Sequence, residues 1–113
     1  MSLRPIYKNM IDEKLDYIGP KSQINTVYGG RTEETLATRW GQHMANPEFS
    51  DMGIEKIFES DKESELAQIK LAESYLIQRL KKKYGDKCLN KYMRGGGHQH
   101  DDGDVHKLYV MIG

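Results

Sequence analysis

Residues 24–32 read Ile24-Asn25-Thr26-Val27-Tyr28-Gly29-Gly30-Arg31-Thr32, and this stretch decides the fold. Ile24 to Tyr28 alternates and is rich in β-branched residues, which predicts a strand over 24–29. The paired glycines end it and let a ligand or another backbone come close. Thr32 is a good N-cap, and Glu33 and Glu34 suit the positive end of a helix dipole. A helix is therefore expected over about 33–45, with Leu36, Trp40 and Met44 as its apolar stripe. Arg39 and His43, four apart, share an adjacent face. Asn46-Pro47 stops the helix.

Working outward, Ile54 to Glu59 reads as a second strand. Ser60-Asp61-Lys62-Glu63 has the form of a capping box, so a long helix is expected over about 61–84. Leu66, Ile69, Leu76, Ile77 and Leu80 make its buried stripe, and Gly85 stands where a left-handed C-terminal residue belongs. Pro5-Ile6-Tyr7 is expected to begin a strand over about 5–8, Asn9 to Asp16 a helical turn, and Gly19-Pro20 a turn. Val105 to Ile112 reads as a last strand, after a polar loop that begins at Gly95-Gly96-Gly97. The pattern is α+β: a small antiparallel sheet of about three strands flanked by helices.

The chain has 113 residues, enough for one domain over 1–113. Charged residues are 30% and hydrophobic ones 37%, a polar composition, yet the periodic apolar stripes argue against disorder. Lys plus Arg and Asp plus Glu are both 17. Zero net charge excludes a polybasic nucleic-acid coat while leaving room for a local basic face. A single cysteine, Cys88, excludes an internal disulfide framework and a cysteine-based zinc site. No apolar run is long enough to span a membrane, and the N-terminus lacks the apolar region of a signal peptide. An intracellular location, cytoplasmic or nuclear, is the default expectation.

One residue breaks the long helix's pattern. Glu73 lies four after Ile69, three before Leu76 and four before Ile77, inside the apolar stripe. It either sits at the stripe's edge and reaches water, or is buried, and then needs a cation, a metal or several donors. With Tyr28, Arg39 and His43 it forms a set suited to phosphodiester cleavage: Arg forks onto phosphate and His moves a proton near neutral pH.

Val27-Tyr28-Gly29-Gly30-Arg31-Thr32 resembles the second half of the GIY-YIG nuclease signature. In that family a strand ending in Tyr-Ile-Gly is followed by a basic residue, then by a helix with an Arg about ten residues on and a His or Tyr one turn later. Arg39 and His43 stand there. Ala72-Glu73-Ser74-Tyr75-Leu76-Ile77 is similar to the family's metal-binding helix, and Asn90 before the glycine run is similar to its Asn. The literal Gly-Ile-Tyr of the first strand is absent. Tyr7 is the nearest match, with Tyr17 in Asp16-Tyr17-Ile18-Gly19 as the alternative.

The resemblance implies a central three-stranded antiparallel sheet and a DNA endonuclease. Glu73 would hold one Mg²⁺ (or Mn²⁺), Tyr28 or Tyr7 would act as general base, and Arg39 would offset charge on the phosphate. His43 would relay a proton, Asn90 would orient the metal side, and Gly30 and Arg31 would admit the phosphate backbone. Cations are needed for DNA affinity. Lys81, Lys82, Lys83 and Lys87, in a run from Arg79 to Arg94, are the expected DNA-facing patch; as an alternative they are a solvated helix end. A catalytically inactive nucleic-acid-binding or interaction module of the same fold is the rival function. His98 to His106 packs three His and three Asp into nine residues and offers transition-metal ligands. Tyr75, Tyr84, Tyr92 and Tyr109 read as packing residues.

Overall fold

The computed structural model describes residues 2–61, 63–91 and 105–113. The glycine run at 95–97, Tyr92, Arg94 and all of the His/Asp-rich stretch except Val105 and His106 lie outside the described residues. The element order is α1 (Pro5–Ile18), β1 (Val27–Thr32), α2 (Leu36–Met44), β2 (Gly53–Ser60), α3 (Leu66–Tyr84) and β3 (His106–Ile112), with short 3-10 turns between. The sheet is antiparallel in the order β1-β3-β2. The expected α+β class is present, with three helices on a three-stranded sheet.

The expected strand over 5–8 is a correction. Pro5 opens α1 instead, as the first helical residue whose missing N–H costs nothing there. Tyr7, Ile11, Leu15 and Ile18 recur at helical spacing. Ile11 and Leu15 are 0% and 2% exposed, and Tyr7 and Ile18 pack on the same core. Burying each of the two aliphatic side chains contributes about 1.5–3 kcal/mol. Gly19 ends the helix at φ 104°, a conformation open to glycine.

The strand lost from the N-terminus is replaced by β3. The sequence marks it only as a last strand, and it is the central one. Leu108, Tyr109, Val110 and Met111 are all fully buried, as a strand covered on both faces requires. β1 begins at Val27 and runs through both glycines to Thr32, later than the expected 24–29. Thr32 therefore does not cap α2. Its hydroxyl accepts from the Glu34 N–H at 3.1 Å, and Thr35 caps by accepting from the Thr38 N–H at 3.2 Å. α3 likewise starts at Leu66, after a 3-10 turn over Glu63–Glu65. Its C-terminal stop at Gly85, φ 57°, is as expected.

Two cores lie on opposite sheet faces. α1 and α3 cover one, around Val27, Leu76, Leu80, Leu108 and Val110. On the other, where α2 lies, Phe49, Met52, Tyr109 and Met111 pack with Tyr28, Leu36 and Met44. β1 is thin where the faces meet. A Cβ on Gly29 would lie 2.8 Å from Leu76 Cδ2 and 3.0 Å from Leu80, and one on Gly30 would lie 2.5 Å from the Tyr109 hydroxyl.

The outer edge of β1 is closed by the segment after α3. Leu89 N–H donates to the Val27 carbonyl at 2.8 Å. The Asn90 side chain then behaves like a strand partner: its Oδ1 accepts from Gly29 N–H and its Nδ2 donates to the Gly29 carbonyl, both at 2.9 Å. This pairing shields an edge that would otherwise invite strand addition.

Gly29→Ala should destabilise the fold by about 1–3 kcal/mol, because two well-packed leucines must move to admit one methyl. Urea unfolding should show a lower midpoint with an unchanged slope. An unchanged midpoint would mean that α3 does not press on β1 as described.

Candidate active site

Successive residues of β1 point to opposite faces, so the strand delivers side chains to both. Tyr28 goes to the α2 face and Arg31 to the α3 face. Gly30 pairs directly with Tyr109 of β3. The missing side chain at Gly30 is what lets the Tyr109 ring lie across β1 beside Tyr28, with centroids 6.4 Å apart.

Around Tyr109 a hydrogen-bonded chain forms. Arg39 Nε donates to the Tyr109 hydroxyl at 3.1 Å, and that hydroxyl lies 2.8 Å from His43 Nε2. A guanidinium only donates, so the tyrosine hydroxyl accepts from Arg39. The hydroxyl keeps a second lone pair and its proton, so its bond with His43 Nε2 runs in either direction according to the imidazole tautomer. Tyr28 packs edge-on against His43 at 4.9 Å and against Phe49 at 5.0 Å. Arg39 is further held through Nη1 by Gln42 at 2.9 Å.

Burial sets the electrostatics. The His43 pKa is lowered from 6.5 to about 4, by burial first and by the neighbouring Arg39 second. The imidazole is therefore neutral at pH 7. Burial pushes the Tyr28 phenol above its ordinary value, with Arg39 opposing. The Tyr109 phenol is pushed much further up, again by burial, so it carries its proton as the chain requires.

Glu73 comes from α3, on the opposite side of β1. It is 8% exposed, so of the two expectations the buried one holds. The cation it needs is Arg31, itself 6% exposed, whose Nε donates to Glu73 Oε1 at 3.2 Å. Burial still raises the carboxyl's pKa, with Arg31 and then Arg39 opposing. Glu73 in turn raises the pKa of both Tyr28 and Tyr109. The two halves lie on opposite sides of the glycine stretch of β1.

Of the expected site residues, Tyr28, Arg39 and His43 meet on the α2 face of β1, whereas Arg31 and Glu73 pair on the α3 face, across the sheet from Tyr28 and not in one cleft with it. Tyr7 joins neither group. It sits on α1, stacked on Phe58 at 4.8 Å and hydrogen-bonded to Glu65. It lines an open groove of about 560 Å³ with Ile6, Met10, Asp61 and Val105. That groove holds none of the Arg39, His43, Tyr28 and Tyr109 cluster. Tyr17 is also apart, 76% exposed on α1. Asn90 belongs to the frame, tied to the Gly29 backbone.

The lysine run divides. Lys81 donates to the Asn90 carbonyl, next to the glycines. Lys83 donates to the Leu15 carbonyl at 2.8 Å and Lys87 to the Lys21 carbonyl at 2.7 Å, on the α1 side. Lys82 is exposed. Tyr109 is the residue that sequence reasoning missed. It is fully buried, as packing predicts, but a tyrosine in an otherwise aliphatic run, Leu108-Tyr109-Val110-Met111, needs a partner for its hydroxyl, and that was its one legible signal.

A metal fits this donor set only narrowly. Among the described residues no group of three or more His, Cys, Asp or Glu converges on one point. One carboxylate does not suit zinc; it would suit only a hard cation that keeps most of its water, such as Mg²⁺, and Glu73, 8% exposed and bonded to Arg31, would have to give up that contact to hold it. Among the described residues no helix is long and apolar enough to cross a membrane. No family model, curated protein or solved structure matches the chain.

His43 makes the site's pH dependence testable. Its folded pKa, about 4, lies below the ordinary 6.5. Between these values the unfolded chain binds more protons than the folded one. The associated stability is full above about pH 6.5 and is lost as pH falls toward 4, on the order of 2–3 kcal/mol in total. Urea unfolding across this range should show His43→Gln, which can still bond to the Tyr109 hydroxyl, falling less steeply than the parent. Parallel curves would contradict the buried neutral imidazole.

Proposed function

We propose that this chain is a Mg²⁺-dependent (or Mn²⁺-dependent) endonuclease that hydrolyses DNA phosphodiester bonds, with a centre of GIY-YIG type. The observation that carries the reading is the Arg39–Tyr109–His43 hydrogen-bonded chain beside Tyr28, coupled around a glycine edge to the buried Glu73. The order of these residues in the sequence, together with the sheet and helices that carry them, supports the resemblance. In this reading Tyr109 takes the place expected of Tyr7. The chain supplies its second tyrosine from the last strand instead of the first segment.

Each side chain then has a role. Arg39 is half in and half out of the fold, and its remaining N–H groups offset charge on the scissile phosphate. Tyr28 faces the attacking water as general base. Because burial works against its phenolate, it depends on the positive field of Arg39. His43, neutral and hydrogen-bonded to the Tyr109 hydroxyl, holds that ring beside Tyr28. The space above Gly30 is taken by Tyr109 and not left for the phosphate backbone, and Asn90 keeps the strand edge in place. Glu73 would hold the divalent cation, which when bound supplies Lewis-acid stabilisation of the phosphate oxygens. Lys81, on the Asn90 side, and the exposed Lys82 contribute substrate affinity, while Lys83 and Lys87 do so less because they lie on the α1 side, away from the glycines. An intracellular location is consistent with the single unpaired cysteine.

One observation favours a second reading. The cation demanded by the buried Glu73 is already present as Arg31. A carboxylate so engaged suits a catalytically inactive DNA-binding module of the same architecture.

Nicking of supercoiled plasmid separates the two. The nuclease reading expects cleavage only with Mg²⁺ or Mn²⁺. It expects Arg39→Ala to lower kcat by about 100-fold or more with little change in KM, the signature of an interaction made in the transition state. Glu73→Gln should abolish cleavage while leaving DNA binding intact. DNA binding without metal-dependent cleavage would establish the inactive module, and neither binding nor cleavage would discard both.

A further inference from the structure

Trp40 is the only tryptophan in the chain, and its position is unusual for so large an apolar group. It lies four residues from both Leu36 and Met44 on α2, and those two pack against the core. Trp40 nevertheless remains 40% exposed. It is not loose: its indole N–H donates to the Met52 carbonyl at 2.7 Å. Met52 belongs to the same cluster as Phe49 and Tyr109, so the indole is fastened to the rim of the tyrosine site. Its neighbour in sequence is Arg39, the proposed phosphate contact.

The geometry points to Trp40 as a stacking platform for a nucleobase next to the scissile phosphate. The inference rests on the proposed phosphodiester chemistry and gives that site a substrate class. A cation for the phosphate and a pinned aromatic face, one residue apart, match the two parts of a nucleotide. Successive helix residues diverge by about 100°, so the guanidinium turns to Tyr109 while the indole turns to Met52 at the rim of the same cluster. Indole faces hold bases of any sequence by stacking, with the N–H engaged elsewhere. A base inside an intact duplex has both faces covered by its neighbours. The platform therefore selects DNA whose base beside the cleaved bond is unpaired, in a single strand, flap or bulge. Trp40 is a positioning residue in this account, acting on binding and not on the chemical step.

Because Trp40 is the sole tryptophan, its own fluorescence is the probe. With the full chain in EDTA, so that no cleavage occurs, a short oligothymidylate should quench the emission saturably, and a blunt duplex of equal length should not. Trp40→Leu should weaken oligothymidylate binding, read by anisotropy of a labelled strand, about tenfold. Trp40→Phe should restore most of it. In cleavage assays with Mg²⁺, Trp40→Leu should raise KM and leave kcat within about twofold, with an unchanged circular dichroism spectrum. Absence of quenching at saturation, equal quenching by the duplex, or parental affinity in Trp40→Leu would each overturn the inference. Quenching without any metal-dependent cleavage would instead remove the nuclease reading and leave the platform standing. Cleavage that is lost in Arg39→Ala but untouched in Trp40→Leu would do the opposite.

Discussion

The absence of side chains at Gly29 and Gly30 is the constraint on which the rest of the structure depends. On one face, Leu76 and Leu80 of α3 occupy the space a Gly29 Cβ would need. On the other, the Tyr109 hydroxyl lies 2.5 Å from where a Gly30 Cβ would sit. β1 is therefore thin enough for two layers to approach from opposite sides. α3 brings Glu73 close beneath the strand, and β3 brings Tyr109 across it. Any larger residue at either position would separate the carboxylate from the tyrosines.

The Arg31–Glu73 pair shows what the constraint brings together. Both groups are more than nine-tenths buried. Taking a pair of ions out of water costs more than their attraction commonly returns, so such a pair is poor evidence of stability for its own sake. Removing one partner is worse, since it leaves a bare buried charge. The fold thus holds an acid and a base where two aliphatic side chains would serve packing better. That is the pattern expected of a functional site, and the field of Glu73 at Tyr28 and Tyr109 links it to the hydrogen-bonded chain above.

Much of this was legible in the sequence, and the failures have physical causes. The long helix was readable because Ile69, Leu76, Ile77 and Leu80 keep its period and Gly85 ends it. Glu73 stood out because it broke that period. Arg39 and His43 were placed correctly on one face by their spacing alone. α1 was misread because Ile6-Tyr7 after Pro5 looks like a strand start. The longer spacing of Tyr7, Ile11, Leu15 and Ile18, with proline at the first helical position, carried the helical signal. Tyr109 was not legible as a site residue, because its partners Arg39 and His43 lie 70 and 66 positions away. Antiparallel pairing of β1 with β3 makes that junction, and periodicity within either segment says nothing about it. Trp40 was read as part of a stripe, but the Met52 carbonyl that fixes it at the rim is visible only in three dimensions.

The central claim is that the Glu73 carboxylate and the tyrosine cluster, on opposite faces of β1, form one cation-using centre around the glycine edge. Paramagnetic broadening by Mn²⁺ tests it most directly, because broadening falls steeply with distance from the ion and needs no turnover. Substoichiometric Mn²⁺ should broaden the amide signals of Gly29, Gly30 and Arg31 and the ring signals of Tyr109 before those elsewhere, and Glu73→Gln should abolish that pattern. Broadening that centres instead on residues 98–106, or that survives unchanged in Glu73→Gln, would show that Glu73 serves only to neutralise Arg31.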